Sequence, residues 1–396
     1  MSEEFVFDEF GLTFDQQWRK RFHRQVRQWF RRHARQLPWS GLRDPYKVWI
    51  SEIMLQQTTV PTVEKRFHRF LEVFPSVQAL AEADEAEVLR QWEGLGYYSR
   101  ARNLHRAARM LVNEFGGQWP QTLEDWTKLP GVGPNTAAAI LSLAFDKRAA
   151  LFEANTARLY ARLAAVQEPL SSQHVRSRLQ QFAGWLLPSR AVASFNQALM
   201  DLGATVCVPG VPDCEKCPVR SGCQAFVQGI QRFVPVKTKQ RRHIDLLETA
   251  VAVLNDSQVL LIQRKGNTWW SGLWDFPCFQ VDSVRLQKQL SVYLERTDQA
   301  TSSKPVSVQR SSPVFRFLAG RLSETLGMTL QAVRFVTSVN YVVTHHRVTR
   351  LLFTATSTTN SFNQDDTSDQ HVRWIPLERL DRYALPSPTR KLVSQL

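Results

Sequence analysis

The sequence predicts a mainly α first domain organised around a helix, a hairpin and a second helix, followed by a separate α+β domain. Three observations carry that expectation. The stretch Leu129-Pro130-Gly131-Val132-Gly133-Pro134-Asn135-Thr136 lies between two helix-compatible segments. Four cysteines fall close together, from Cys207 to Cys223. Past Leu247 the helical period gives way to alternating, β-branched runs.

With 396 residues, 43% of them hydrophobic, the chain is long enough for two or three domains with real cores. A formal net charge of +14 favours a polyanionic partner, because each phosphate met by Lys or Arg releases counterions. No apolar run reaches the roughly 18 residues of a membrane span, and the start MSEEFVFDEF is acidic where a signal peptide is basic. The expectation is a cytosolic protein with no membrane partner. The close cysteines fit a metal centre in a reducing compartment better than a disulfide framework.

Residues 1–13 read as an acidic tail. From Phe14 to Arg35, Phe14, Trp18, Phe22, Val26, Trp29 and Phe30 recur at helical spacing among Arg and Lys, giving one core face and one cationic face. That cationic face is either a solvated surface or a phosphate contact. Leu37-Pro38-Trp39 and Asp44-Pro45-Tyr46 mark breaks. A helical period returns over Lys47 to Phe70, interrupted at Pro61, with Glu52, Gln56 and Gln57 among Trp49, Ile50, Ile53, Met54 and Leu55. A carboxyl embedded there has a raised pKa, which suits a general acid near neutral pH; the competing reading is a cap or an ion pair. In Trp92-Glu93-Gly94-Leu95-Gly96-Tyr97-Tyr98, two glycines precede paired tyrosines, and Arg100 and Arg102 follow. The pattern suits an aromatic ring inserted beside a base with phosphate anchoring, one tyrosine being left for the core.

Gly131 and Gly133 let the hairpin backbone approach a phosphate, so it reads as a phosphate clamp. Thr122 to Lys128 and Thr136 to Phe145 supply its two helices. Glu153 to Val166 is helical with Arg158 and Arg162 on one side. The spacing C-x6-C-x2-C-x5-C over Cys207, Cys214, Cys217 and Cys223 fits one metal centre, zinc or [4Fe-4S]. Its role reads as structural, presenting Lys216 and Arg220 to phosphate. Pro235 to Arg242 is a basic linker within a boundary at 231–247. Leu247 to Ile262, Trp269 to Phe279 and Val333 to Thr356 supply strands, and Asn360 to Asp369 reads as a solvated loop.

Together these motifs resemble the adenine DNA glycosylases of the MutY type. Trp49 to Thr58, Gly94 to His105, the Leu129 to Gly133 hairpin, and Met200 to Ala204 before the cysteines occur in that family's order. The resemblance implies a helix-hairpin-helix glycosylase domain of the endonuclease III superfamily over 14–230, with an iron-sulfur loop at 207–223. In that loop Cys207, Cys214, Cys217 and Cys223 hold a [4Fe-4S] cluster. It further implies a Nudix-like lesion-recognition domain over 248–396. There Leu261 to Arg264 and Gly272 to Pro277 match the family, and Thr344-His345 stands where the family reads 8-oxoguanine with Ser-His. Val343 replaces the Phe before that pair. Gly320 to Gly327 keeps only Glu324 of a Nudix glutamate run, which argues against pyrophosphate hydrolysis.

By resemblance the activity is hydrolysis of the N-glycosidic bond of adenine mispaired with 8-oxoguanine or guanine in DNA. Glu52 protonates the base, Glu153 stabilises the sugar cation and Asn155 helps to position it. DNA is held by Gln56, Gln57, Leu95, Tyr97, Arg102, Gly131, Val132, Gly133, Asn135 and Arg158, with Gln57, Leu95 and Tyr97 wedging the stack around a flipped nucleotide. The implied partner is double-stranded DNA bearing A:8-oxoguanine or A:G mispairs, bound by a monomer in a bacterial cytoplasm at the nucleoid. Two departures matter. Glu153 replaces the usual aspartate, which opens the alternative of a catalytically weak lesion-binding protein. Asn135 replaces the lysine of the lyase relatives, so no Schiff base forms and no strand is cut.

Overall fold

Asp15 opens the first long helix, α1 (Gln16–His33), by accepting the Trp18 N–H at 2.7 Å, which satisfies a donor that a helix start leaves open. A second start is written in Asp44-Pro45: the aspartate accepts the Tyr46 N–H at 2.9 Å and Pro45 is pre-set for the first turn of α2 (Pro45–Leu55). The structure, a computed structural model, describes residues 4–7, 11–236, 243–266, 269–298, 305–358 and 371–396. They divide into two compact units, residues 1–83 with 102–240 and residues 84–101 with 241–396.

The first unit begins with a hairpin of β1 (Phe5–Phe7) and β2 (Leu12–Phe14). The stretch read as an acidic tail therefore contains a strand. Phe7 is fully buried, its ring 5.2 Å from Phe182, and burying such a ring contributes about 2 kcal/mol. After α1 and α2 come α3 (Val60–Val73) and α4 (Val77–Glu82). The break between α2 and α3 falls at Gln56–Thr59, ahead of Pro61, because Pro61 fits the first turn of α3. Residues 84–101, which hold α5 (Glu85–Gln91) and open α6 (Ser99–Asn113), group with the second unit. By contacts, the expected glycosylase domain over 14–230 is therefore represented in the first unit by 14–83 and 102–230. The first unit continues with α7 (Leu123–Lys128), α8 (Pro134–Phe145), α9 (Ala154–Leu163), α10 (Gln173–Leu186), α11 (Val192–Thr205) and the short α12 (Gln224–Val227). Val234 is buried and β3 starts at Ile244, so the described ends of the expected 231–247 linker are structured. Residues 237–242 lie outside the described set.

The second unit is built on an eight-stranded sheet. Its strands are β3 (Ile244–Asn255), β4 (Gln258–Gln263), β5 (Trp274–Asp275), β6 (Cys278–Gln280), β7 (Val306–Ser307), β8 (Leu330–Val343), β9 (His346–Ser357) and β10 (Val372–Pro376). The main order is β10-β4-β3-β9-β8-β7, with β5 on β4 and β6 on β3. β3 and β9 run parallel, Ile244 opposite His346. Helices α13 (Val284–Asp298) and α14 (Pro313–Leu326) contribute Leu290, Leu318 and Leu322 to the core with Val251, Leu351 and Phe353 of the sheet. The expected loop at 360–369 lies outside the described residues.

A buried charge cluster fixes the middle of this sheet. Arg350 of β9 donates from Nη1 to both Asp275 oxygens at 3.2 and 3.3 Å and to Thr389 Oγ1 at 2.8 Å, and from Nε to Glu248. Asp275 also accepts Arg264 Nε at 2.8 Å. Buried charges of this kind persist only when paired, and the pairing holds five separate segments in register. Segment 84–101 is held by α15 (Ser387–Val393) and its approach: Arg390 forks onto Glu93 at 2.7 and 2.9 Å, and the Tyr98 hydroxyl donates to Leu385 O at 3.4 Å. Among the described residues no helix is long and apolar enough to cross a membrane.

Candidate active site

The first unit contains a pocket of about 590 Å³ whose lining includes Glu52, Gln56, Gln57, Asn135, Glu153 and Asn155. Glu52 lies in the last turn of α2, whose apolar faces bury Trp49, Ile50, Ile53 and Met54. It is half-buried but closely surrounded by protein. Burial raises its carboxyl to about 7, and the charge of Glu153 adds a smaller push in the same direction. A carboxylic acid that keeps its proton near neutral pH can donate it to a leaving group.

Glu153 is the N-cap of α9. Its two carboxylate oxygens accept the N–H groups of Asn155 and Thr156, each at 2.9 Å, while its own N–H donates to Thr156 Oγ1 at 3.0 Å. This closes a capping box with the longer acid at the cap position. Two accepted bonds leave further lone pairs on both oxygens, so a carboxylate anchored to a helix start borders the same space as a protonated acid. Asn155 is fixed by its neighbours: Arg158 Nη2 donates to Asn155 Oδ1 at 2.9 Å. A Cβ on Gly203 would lie 2.8 Å from Asn155 Cβ, so only glycine lets α11 pass this close.

Arg158 itself is 7% exposed, and its guanidinium donates to the carbonyls of Ala154, Gly203 and Cys207 at 3.2, 2.6 and 2.7 Å. The expectation that it meets DNA is corrected: it ties the start of α9 to the cysteine loop. Leu95 is likewise turned into the core, 3% exposed, and its side chain is not presented at the surface. Tyr98 takes the core place, whereas Tyr97 is 46% exposed with φ of +47°. Gln57 is exposed at the pocket with φ of +54°, a left-handed conformation costly for a residue with a Cβ. Gln56 is tied to α8 through Nε2 to Thr136 Oγ1 at 3.0 Å. Arg102 is half-buried on α6.

The hairpin has the expected form. Thr122 caps α7, and Gly133 caps α8 with no side chain over its first N–H groups. Gly131 has φ of +79°, and a Cβ there would come within 2.8 Å of Asn103 Cβ. Val132 is buried and its N–H closes the turn onto Leu129 O at 3.1 Å, so it supports the turn and offers no phosphate donor. Asn135 is exposed in the first turn of α8. One group at this pocket carried no sequence-based expectation: Arg35 lines it and pairs with buried Asp201 through Nε and Nη2, both at 2.8 Å. The acid lay in the Met200–Ala204 motif, but nothing local pointed to its partner.

Cys207, Cys214, Cys217 and Cys223 line one small cavity of about 20 Å³ together with Arg162. Arg162 Nη1 donates to Cys207 Sγ at 3.3 Å and to Val208 O at 2.8 Å. Burial raises Cys217 to about 12 and Cys223 to about 11, so their thiolates need a bound cation. Among the described residues no three His, Cys, Asp or Glu side chains converge as a formed metal site. The four-sulfur donor set nevertheless fits a soft metal centre. Lys216 and Arg220 are solvent-exposed and make surface ion pairs with Asp213 and Glu215.

In the second unit, Thr344 and His345 form the two-residue turn between β8 and β9, Val343 opposite His346. Thr344 has φ of +54° and is exposed, and its hydroxyl donates to Val343 O at 2.7 Å. The His345 and His346 rings lie 4.1 Å apart, and the His346 ring is 5.0 Å from that of Trp269. Glu324 is exposed and paired with Arg321 at 3.4 Å.

Residues 50–184 match the HhH-GPD superfamily of base excision DNA repair proteins, and residues 249–395 match the NUDIX domain. An adenine DNA glycosylase of Buchnera aphidicola from Baizongia pistaciae is 32% identical over 65% of this chain and 74% of its own length. That of the Schizaphis graminum strain is 32% identical over 69% of this chain and 80% of its own. The mouse adenine DNA glycosylase is 42% identical over 53% of this chain and 42% of its own. With a helix-hairpin-helix domain, a Nudix-like domain and relatives aligned over most of their length, the chain belongs to the adenine DNA glycosylase family and is a monofunctional DNA glycosylase.

Proposed function

We propose that the protein excises adenine lying opposite 8-oxoguanine or guanine in duplex DNA, acting as a monomer. The observation that carries this reading is the pairing of a proton-bearing Glu52 with the helix-anchored carboxylate of Glu153 in one pocket. Glu52 donates its proton to the adenine ring, which turns the base into a neutral leaving group. Glu153 faces the positive charge that develops on the sugar, Asn155 orients it, and water completes the hydrolysis. Gly131, Gly133 and Asn135 offer the hairpin to phosphate, and Gln57 and Tyr97 present exposed side chains to the opened stack. Asn135 has no amine with which to attack the sugar, so an abasic site is the product. The test is release of free adenine from a duplex carrying either mispair, with the abasic strand left uncut. Tight binding with no release would instead support a lesion-binding protein.

Thr344 and His345 are proposed to read 8-oxoguanine. Contacts to a base edge carry specificity, whereas phosphate contacts do not. Replacing both by alanine is expected to lower the preference for A:8-oxoguanine over A:G by about tenfold, measured as the ratio of the two excision rates, while binding to undamaged duplex changes little. Equal loss on both substrates would place lesion reading elsewhere.

Cys207, Cys214, Cys217 and Cys223 would hold a [4Fe-4S] cluster, which when bound contributes a fixed fold to the 207–223 loop. Purified protein is expected to be brown with about four irons. Cys217→Ser should lose the visible band and iron by elemental analysis together. Stoichiometric zinc in the native protein would rule the cluster out.

A further inference from the structure

Helix α1 carries seven Lys and Arg residues and no acid between Gln16 and His33. Arg19 is buried and donates to Leu187 O at 2.9 Å. The other six, Lys20, Arg21, Arg24, Arg27, Arg31 and Arg32, are exposed, and none has an ion-pair partner among the described residues. Their arrangement is not random. Lys20, Arg24, Arg27 and Arg31 follow one another at steps of four, three and four, which at about 100° per residue holds them within about 60° of the helix circumference. The stripe lies opposite Phe22, Val26 and Trp29, which are in the core. Its length is about 16 Å, the axial length of about five phosphates on one DNA strand. At its N-terminal end Lys20 and Arg27 border a cavity of about 400 Å³ with Arg19 and His23. There burial first, then the charges of Arg19, Arg27 and Arg148, lower the His23 pKa. Four residues past Arg31, Arg35 lines the active-site pocket.

We propose that Lys20, Arg24, Arg27 and Arg31 form a track for the backbone of undamaged duplex DNA outside the excision pocket. The track rests on the glycosylase reading only for the identity of the polyanion. Arginine forks match phosphate oxygens, and unpaired cations at helical spacing gain more from a regular polyanion than from scattered acids. A lipid surface fits less well, because a membrane-lying helix needs its apolar face free, and here that face is occupied by the core.

The test compares the native protein with K20Q/R24Q/R27Q/R31Q, in which glutamine keeps the helix propensity. Affinity for undamaged duplex is measured against salt. The slope of log Kobs against log salt is expected to flatten by about 3 to 4, near 0.9 for each phosphate that is no longer neutralised. A charge-matched control, R285Q/K288Q/R316Q/R321Q, should leave it within about 1 of native. An unchanged slope in the stripe variant, or the same flattening in the control, would overturn the track. So would loss of binding to phosphatidylglycerol vesicles with the DNA slope intact. Should the variant lose helicity by circular dichroism, the native protein still decides: undamaged duplex must protect Arg24, Arg27 and Arg31 from a dicarbonyl reagent, and equal labelling with and without DNA refutes the proposal. Because undamaged duplex is not a substrate, a protein with a working track that releases no adenine would defeat the excision reading alone.

Discussion

Glu52→Gln is expected to slow single-turnover adenine release by a factor of about 100 to 10,000, while mispair binding stays within a few-fold of native. The amide keeps the shape of the acid but carries no proton to give. The native rate should be steady at acid pH and fall as pH rises through about 7, the value to which burial brings Glu52. Stability moves with the same group. Its folded pKa lies above the ordinary 4.5, so between about 4.5 and 7 the native state binds more protons than the unfolded state. The stabilisation is complete below that window and is lost as pH rises through it, a change of up to about 3 kcal/mol. Glu52→Gln removes the titration. Denaturant unfolding at pH 5 and pH 8 should therefore show a smaller fall for the variant than for the native protein. Identical pH slopes, or an unchanged excision rate, would exclude a buried acid at this position.

Glu153→Gln is expected to cost a similar factor in rate. It replaces one oxygen that accepts a helix N–H with an amide that donates, and it removes the negative charge to which the proposed stabilisation of the sugar cation is assigned. The lost cap should cost about 1 kcal/mol in unfolding experiments, so a folded but inactive variant is the expected product. Glu153→Asp is the informative partner. Aspartate is a favoured N-cap and keeps the charge, so the helix start should survive and excision should stay within about tenfold of native. If Glu153→Asp is as slow as the amide, the pocket is shaped for the longer acid. If Glu153→Gln is as fast as native, the carboxylate serves the helix alone.

Local signals were legible because their causes are local. Asp44-Pro45, Thr122 and the Gly-x-Gly turn act within four residues, and the structure starts or turns the chain at each. The four cysteines border one small cavity because one short loop carries them, though among the described residues no three converge as a formed metal site. What the sequence withheld depends on partners far along the chain. Helical spacing sets Arg158 and Arg162 on one side of α9 but cannot say that this side faces carbonyls of the cysteine loop. Nothing in Leu95-Gly96-Tyr97-Tyr98 shows which side chains turn inward, and the opposite fates of Leu95 and Tyr97 arise in packing. Phe7 looked like part of a tail because two acids precede it, yet one strand register places it against Phe182. The capping role of Glu153 was readable in principle from Thr156 three residues on, but the favoured order sets the hydroxyl first and the acid second.

The fork between Arg390 and Glu93 spans 297 residues of chain. At about 5 to 20 residues per second, a ribosome needs roughly 15 to 60 seconds to make that length. Through that interval α5 and the Tyr97 loop are already synthesised while the segment that will hold them does not yet exist. Their ordering is a late event, set by the completion of synthesis and by loop-closure entropy. The aromatic that this loop exposes therefore reaches its final position only after the distant α15 has been made.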